Sequence, residues 1–115
     1  MNWTRVGATF ALIGVGLGAF GAHGLKDILT AHHSLEIWKT ASFYHLVHAV
    51  ALLVPAAGKG KWSPALFFAI GIVIFSGSLY LLSLTGMSWL GMITPVGGLA
   101  FMAGWLLLAI RGSQS

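Results

Sequence analysis

Cysteine is absent from all 115 residues, which excludes a disulfide framework, a thiolate metal site, a cysteine nucleophile and a cysteine-held iron–sulfur cluster. Carboxylates are nearly as scarce. Asp27 and Glu36 are the only two, against six Lys and Arg and five His, for a formal net charge of +4. Charged residues make up 7% of the chain, against about 25% in an ordinary soluble domain. Eight formal charges cannot clothe a soluble core when 57% of the residues are hydrophobic. The basic residues are scattered, with Lys59 and Lys61 in a short connector, so no nucleic-acid footprint is present and no such partner is expected. What is left is an integral membrane protein, with the lipid bilayer as its first partner.

Long uncharged runs are what the chain has in quantity. A spanning helix needs roughly 20 apolar residues to cross about 30 Å of hydrocarbon. Val6 to Leu25 and Thr40 to Gly58 each lack formal charge, as does the whole stretch Trp62 to Ile110. The last is long enough for two spans and is broken at Thr85-Gly86-Met87-Ser88. Such runs are too long for barrel strands, so the expected fold is an all-α integral membrane protein with four transmembrane helices in one domain, residues 1–115. The spans are expected near residues 5–24, 37–57, 63–84 and 89–110. Arg5, the following apolar run and Ala19-Phe20-Gly21 imitate a signal peptide with cleavage after Gly21, but the segment is read as a retained span.

End signals refine the boundaries. Ser63-Pro64 reads as an N-cap followed by proline at the first helical position. Gly24 and Gly58 are expected C-terminal caps of the first and second spans. Ser34 is expected to cap the second span, with Glu36 at the positive end of its dipole. Pro95 falls inside the fourth span, which is therefore read as a long kinked helix. Between the first two spans, Leu25, Ile28, Leu29, His32 and Leu35 recur at helical spacing. A short interfacial helix in the outer headgroup region fits this pattern, and an ordinary loop is the alternative.

Orientation follows from the short loops. Arg5, Lys59, Lys61 and Arg111 share one side and Lys26 and Lys39 the other, so four against two predicts both termini in the cytoplasm. Trp3, Trp62 and Trp105 fall near the inner interface and Trp38 and Trp89 near the outer one, as aromatic belts require.

Glycine is abundant, with sixteen residues. Gly7, Ala11, Gly14, Gly18 and Gly21 repeat at steps of four, three, four and three along one face of the first span. Ala41, Ser42 and Ala49 in the second span and Gly97, Ala100 and Gly104 in the fourth extend the pattern. Between helices in lipid, small residues let backbones approach closely. Two readings of the stripe stand side by side: packing against helices of the same chain, or self-association into a homo-oligomer.

His45 and His48 carry the strongest chemical signal, three residues apart on one helix face with Ser42 one turn earlier and Tyr44 adjacent. Counting from Trp38 places His45 about 10 Å deep and His48 near the midplane. Ionisable groups at such depth call for a functional hypothesis. Three readings follow. The imidazoles could bond neighbouring helices structurally, could bind haem, a quinone or a metal, or could form a proton or ion path. His23 could join them as a third ligand only awkwardly, lying roughly 15 Å from the level of His48, and no buried carboxylate completes a set, so no metal site is expected. No Ser-His-acid set or carboxylate pair assembles at depth, so no catalytic residues are expected. Ser76-Gly77-Ser78 reads as a packing segment, and Glu36 with Lys39 as a modest surface pair.

Several strings together resemble a known family: Gly18-Ala19-Phe20-Gly21-Ala22-His23-Gly24-Leu25-Lys26; Trp38-Lys39-Thr40-Ala41 with Tyr44-His45 and His48-Ala49; Phe75-Ser76-Gly77-Ser78-Leu79-Tyr80; and Thr94-Pro95-Val96-Gly97-Gly98-Leu99-Ala100-Phe101. They resemble the small membrane proteins of domain of unknown function 423, similar to the eukaryotic transmembrane protein 256 group. The resemblance covers nearly the whole chain. It implies a multi-pass protein of the bacterial inner membrane or a mitochondrial membrane, and brings neither an activity nor a cofactor. Its motif positions fall on His23, Tyr44, His45, His48, Ser76, Tyr80, Thr94 and Pro95. The functional expectation is a non-enzymatic structural or accessory membrane protein that self-associates through its small-residue faces. The alternative is a ligand or ion handler using His45, His48, Tyr44 and His23.

Overall fold

Asn2 opens the first helix by accepting the Arg5 N–H at 3.1 Å. In the computed structural model, which describes residues 1–112, helix α1 runs Trp3–Ala22. A short α2, Lys26–Ala31, follows, and then α3, Leu35–Ala51. The third span is one continuous 22-residue helix, Pro64–Thr85. It consists of α4 (Pro64–Gly71), a π-helical turn (Ile72–Ser76) and α5 (Gly77–Thr85). Ser63 caps it by accepting from Leu66 N–H at 3.3 Å, with Pro64 next, as expected. Gly86, at φ 71°, closes it where the sequence is broken, its N–H bonding Leu82 O at 2.8 Å. Helix α6, Thr94–Arg111, completes the chain after a 3₁₀ turn at Ser88–Met92. Among the described residues there is no strand.

Three helices are long and apolar enough to cross a membrane: α1, Pro64–Thr85 and Ser88–Arg111. The 17 residues of α3 lie among them as the fourth, and the chain is an all-helical, four-helix membrane protein. Helix α3 is the hub: it packs on α1 along one side and on the π turn and α5 along another, while α6 packs on α4 and the π turn. An apolar cluster of Ala49, Leu52, Ala57, Ala65, Phe68, Ile72 and Phe101 fills one end of the bundle. The start of α1, the end of α6 and the connector lie at that end, since Trp3 abuts Gly58 and Arg111 Nη1 donates to Lys59 O at 3.4 Å.

Several boundaries differ from expectation for local reasons. The second span ends at Ala51, not near residue 57, and Gly58 closes a 3₁₀ turn (Pro55–Gly58) rather than that helix. Helix α1 ends at His23, whose N–H bonds Ala19 O at 3.1 Å, so Gly24 is no cap. The outer helix covers six residues because His33 turns left-handed at φ 55°. Of its expected apolar face, Leu29 is fully buried while Ile28 and His32 are exposed. Ser34 holds the N-cap position of α3 as expected, but its side chain makes no capping bond. Its hydroxyl crosses to Ser83 O at 2.7 Å, tying the start of α3 to α5. Pro95 lies inside the span Ser88–Arg111, as expected, in the first turn of α6 where the 3₁₀ turn gives way to α-helix. Residues 113–115 of the expected domain lie outside the described residues.

The glycine stripe is consumed within the chain. A Cβ on Gly14 would lie 2.7 Å from Leu46 Cδ2, and one on Gly7 3.0 Å from Ala49 O. On Gly21 it would enter the Trp38 indole. Gly97 lies against the Phe75 backbone, and a Cβ on Gly104 would come 2.6 Å from the Phe68 ring. Gly18 is looser, with Ser42 3.9 Å from its added Cβ. These contacts favour the first of the two readings, packing against helices of the same chain.

Candidate functional site

The sequence treats His45 and His48 as one patch, and the structure divides it. His45 projects between α1 and α5. Its Nε2 lies 2.8 Å from Phe10 O and its Nδ1 3.0 Å from the Tyr80 hydroxyl. A carbonyl only accepts, so Nε2 carries the proton and Nδ1 receives the Tyr80 O–H. Ser42 Oγ stands 3.4 Å from that same hydroxyl.

His48 faces α6 and takes the opposite tautomer. Its Nδ1–H donates to Tyr44 O, one turn back, at 2.7 Å, and its Nε2 accepts the Trp105 indole N–H at 2.9 Å. An indole only donates, which fixes this assignment. The imidazole stacks on Phe101, ring centroids 3.7 Å apart and planes 12° apart, with the Phe68 ring at 5.4 Å on edge. Both histidines are 3% exposed. His45 sits in the middle of α3 and His48 in its last turn, since the helix stops at Ala51.

Tyr44 points outward and is 39% exposed. Its ring lies 4.9 Å from Phe75, and near-parallel to His48 and Phe101 at 6.2 and 6.3 Å. Tyr44 and His48, with Phe75, Phe101 and Trp105, border a groove of about 510 Å³ between α3 and α6. His23, the fourth expected site residue, is exposed at the end of α1 and joins neither histidine. Among the described residues no three of His, Cys, Asp and Glu are grouped to hold a metal ion. A ligand on either buried imidazole would have to displace a hydrogen bond already made.

Sequence reasoning missed the partners. Trp105 was expected at the inner interface but bonds His48. Trp38, expected in the outer belt, is 3% exposed, donates to Leu17 O at 2.9 Å and packs on Tyr80 with ring centroids 4.7 Å apart. Ser76 Oγ donates to Ala41 O at 2.8 Å. Ser78 and Thr94 hydroxyls meet at 2.6 Å. Each contact joins residues far apart in sequence, so no local spacing announces it. Among the described residues every buried side-chain nitrogen and oxygen has a partner.

Similarity to known proteins agrees with this architecture. The family described as protein of unknown function (DUF423) matches residues 17–98. The UPF0382 membrane protein YwdK of Bacillus subtilis is 48% identical over 113 residues, covering 91% of this chain and 90% of that protein. A UPF0382 membrane protein of Staphylococcus epidermidis is 47% identical over 111 residues, covering 91% and 89%. One from Staphylococcus aureus is 45% identical over 111 residues with the same coverage. No solved structure matches the chain. With a family match across most of its length and relatives aligned nearly end to end, this chain belongs to the UPF0382 membrane proteins, the family of unknown function DUF423.

Proposed function

We propose that the protein is a non-enzymatic accessory component of the bacterial inner membrane, in which His45 and His48 hold helices in register. One observation carries this reading: all four imidazole nitrogens already bond groups of this chain, on α1 and α5 for His45 and on α3 and α6 for His48. The alternative of haem or metal ligation at these rings loses its free ligand atoms. The buried hydroxyls give no nucleophile either, since Ser34, Ser76 and Ser83 donate to backbone carbonyls. Both carboxylates lie exposed near the outer ends of the helices. Four basic residues at the end holding the termini, against two at the other, support cytoplasmic termini. Self-association would use the outward face of α1, where Gly16 has nothing within 4 Å of an added Cβ.

The test replaces His45 and His48 with phenylalanine, singly and together, in protein released from its own membrane and weighed intact with its lipids. A loss of stability in each single variant and a larger one in the double, with no stoichiometric histidine-dependent mass on the wild type, supports the reading. A variant that folds normally while a bound species disappears sinks it.

A further inference from the structure

The two buried histidines differ in what a second proton would do to them. His48 Nε2 accepts from the Trp105 indole, which only donates. A proton on that nitrogen would set two donors against each other at 2.9 Å. His45 Nδ1 instead meets the Tyr80 hydroxyl, at 3.0 Å, and a hydroxyl can reverse its direction. In the neutral state the single Tyr80 hydrogen is spent on Nδ1. Ser42 Oγ, 3.4 Å away, then stands as donor to Tyr80 and keeps its own lone pairs free. With both His45 nitrogens protonated the chain turns round: Nδ1–H donates to Tyr80 O, Tyr80 O–H to Ser42 Oγ, and the Ser42 hydrogen points away. Nε2–H keeps Phe10 O at 2.8 Å throughout.

The freed Ser42 hydrogen has somewhere to go. Ser42 lines, with Gly18, Gly21 and Lys39, a cleft of about 210 Å³ between α1 and α3. Gly18 leaves room there, since an added Cβ would lie 3.9 Å from Ser42 Oγ. Exposed Lys39 marks the mouth, where the cleft meets water. Around His45 the other ionisable groups stand apart. On α1 the one charged residue, Arg5, is exposed and more than a turn from Phe10. On the third span Tyr80 is the one titratable residue. On α3, Glu36 and Lys39 are exposed and pair with each other, Tyr44 points outward and His48 faces α6. An imidazolium here is held by hydrogen bonds to the Phe10 carbonyl and the Tyr80 oxygen, which favour the charged form.

We infer that His45 is a reversible proton-binding site, loaded from the Lys39 end of the bundle through Ser42 and Tyr80. A proton from cleft water bonds Ser42 Oγ while Ser42 passes its own to Tyr80 and Tyr80 passes its own to Nδ1. His45 gains one proton, the water loses one, and unloading reverses each step. The Phe10 carbonyl has no proton to hand on, so the proton leaves by the way it came. This inference is separate from the register role, which a histidine fixed in one tautomer fills equally well.

The experiment takes full-length protein in lipid nanodiscs, its histidine rings labelled with nitrogen-15, from about pH 8 to pH 4, either side of the ordinary histidine range. Ring-nitrogen magnetic resonance signals are assigned by their loss in His45→Gln and His48→Gln. The expected result is that His45 passes from one protonated nitrogen to two, while His48 keeps its neutral pattern over the same range. Tyr80→Phe lowers the proton affinity of His45 about threefold to tenfold, because the hydroxyl bonds the charged ring more strongly than the neutral one. Ser42→Ala lowers it by less, its link of 3.4 Å being the loosest in the chain. Should Tyr80→Phe lose its helical spectrum, the contrast between His45 and His48 in the wild type decides alone. The inference is overturned if His48 gains its second proton together with His45 or before it. It is overturned as well if His45 stays neutral to the lowest pH at which the helical spectrum holds, or titrates unchanged in a folded Tyr80→Phe.

Discussion

The bond from Trp105 Nε1–H to His48 Nε2, at 2.9 Å, joins α6 to α3 across 57 residues of sequence and can be weighed by a double-mutant cycle. His48→Phe keeps a flat ring against Phe101, where the present stacking distance is 3.7 Å, and deletes both nitrogens. The Trp105 N–H, on a half-exposed side chain among apolar neighbours, then loses its acceptor, and an orphaned donor in such surroundings costs about 1–3 kcal/mol. Trp105→Phe leaves His48 Nε2 unpaired instead, and also removes aromatic contact with Phe68, whose ring centroid lies 4.7 Å away. In the double variant neither end is orphaned, so it is less unstable than the two single losses added together.

The expected coupling is about 1 kcal/mol. Hydrogen bonds between membrane helices average about 0.6 and reach about 1.7 kcal/mol, because a chain unfolded in the membrane also finds partners. A value above the average applies because His48 is held between Phe101 and Phe68, and Trp105 packs on Phe68 as well. Reversible unfolding in mixed micelles, followed by far-ultraviolet circular dichroism, measures it without relying on the tryptophan being changed. If the double variant equals the sum of the singles to within about 0.3 kcal/mol, as independent sites do, the bond does not couple α3 to α6 and the reasoning fails.

The glycine contacts make a contrasting pair: Gly21→Ala drives a methyl into the Trp38 indole and should cost about 1–3 kcal/mol of overpacking. Gly16→Ala meets nothing within 4 Å and should stabilise by up to about 1 kcal/mol in the same micelle assay. Ser76→Ala removes the donor to Ala41 O and should cost about 0.5–1.5 kcal/mol. Ser76→Leu, at a fully buried position, should cost more than Ser76→Ala, and the reverse order would refute the packing described. A reporter fused after Ser115 should be active only in the cytoplasm, and activity outside the cell would overturn the orientation.

Most of the architecture was legible because lipid imposes a simple demand: runs of about 20 apolar residues, with every backbone group bonded within its own helix. Ser63-Pro64 and Gly86 marked ends correctly because their chemistry is local. Ser34 marked the start of α3 as well, but its hydroxyl reaches Ser83 O on another helix in place of capping its own. Trp38 misled for a related reason. An indole suits the headgroup region because it needs one polar partner, and Leu17 O supplies that partner inside the bundle. The π turn left no trace in the uniformly apolar Ile72-Val73-Ile74-Phe75. The histidines stood out by depth and spacing, but their meaning depended on Phe10, Tyr80 and Trp105, which only the packed helices bring near.

The placement of cross-helix bonds along α3 explains why those polar residues are there at all. Ser34, Trp38, Ala41 (through its carbonyl), His45 and His48 each bond another helix, at Ser83, Leu17, Ser76, Phe10 and Trp105 in turn, and His45 bonds Tyr80 as well. Their spacing is four, three, four and three, the same steps as the small residues of α1 from Gly7 to Gly21. A 3.5-residue average keeps a stripe facing its neighbours along the whole helix. Glycine contacts bring α1 and α3 close but fix no height, since one smooth surface can slide along another. The bonds fix it, because a one-residue slip moves α3 by about 1.5 Å and misaligns all five at once. At about 0.6 kcal/mol each, no single bond decides whether the bundle folds. Together they determine where α3 stops relative to α5 and α6, and so where Tyr44 stands beside Phe75 and Phe101. Weakening the His48–Trp105 bond should therefore disturb the groove before it unfolds the protein.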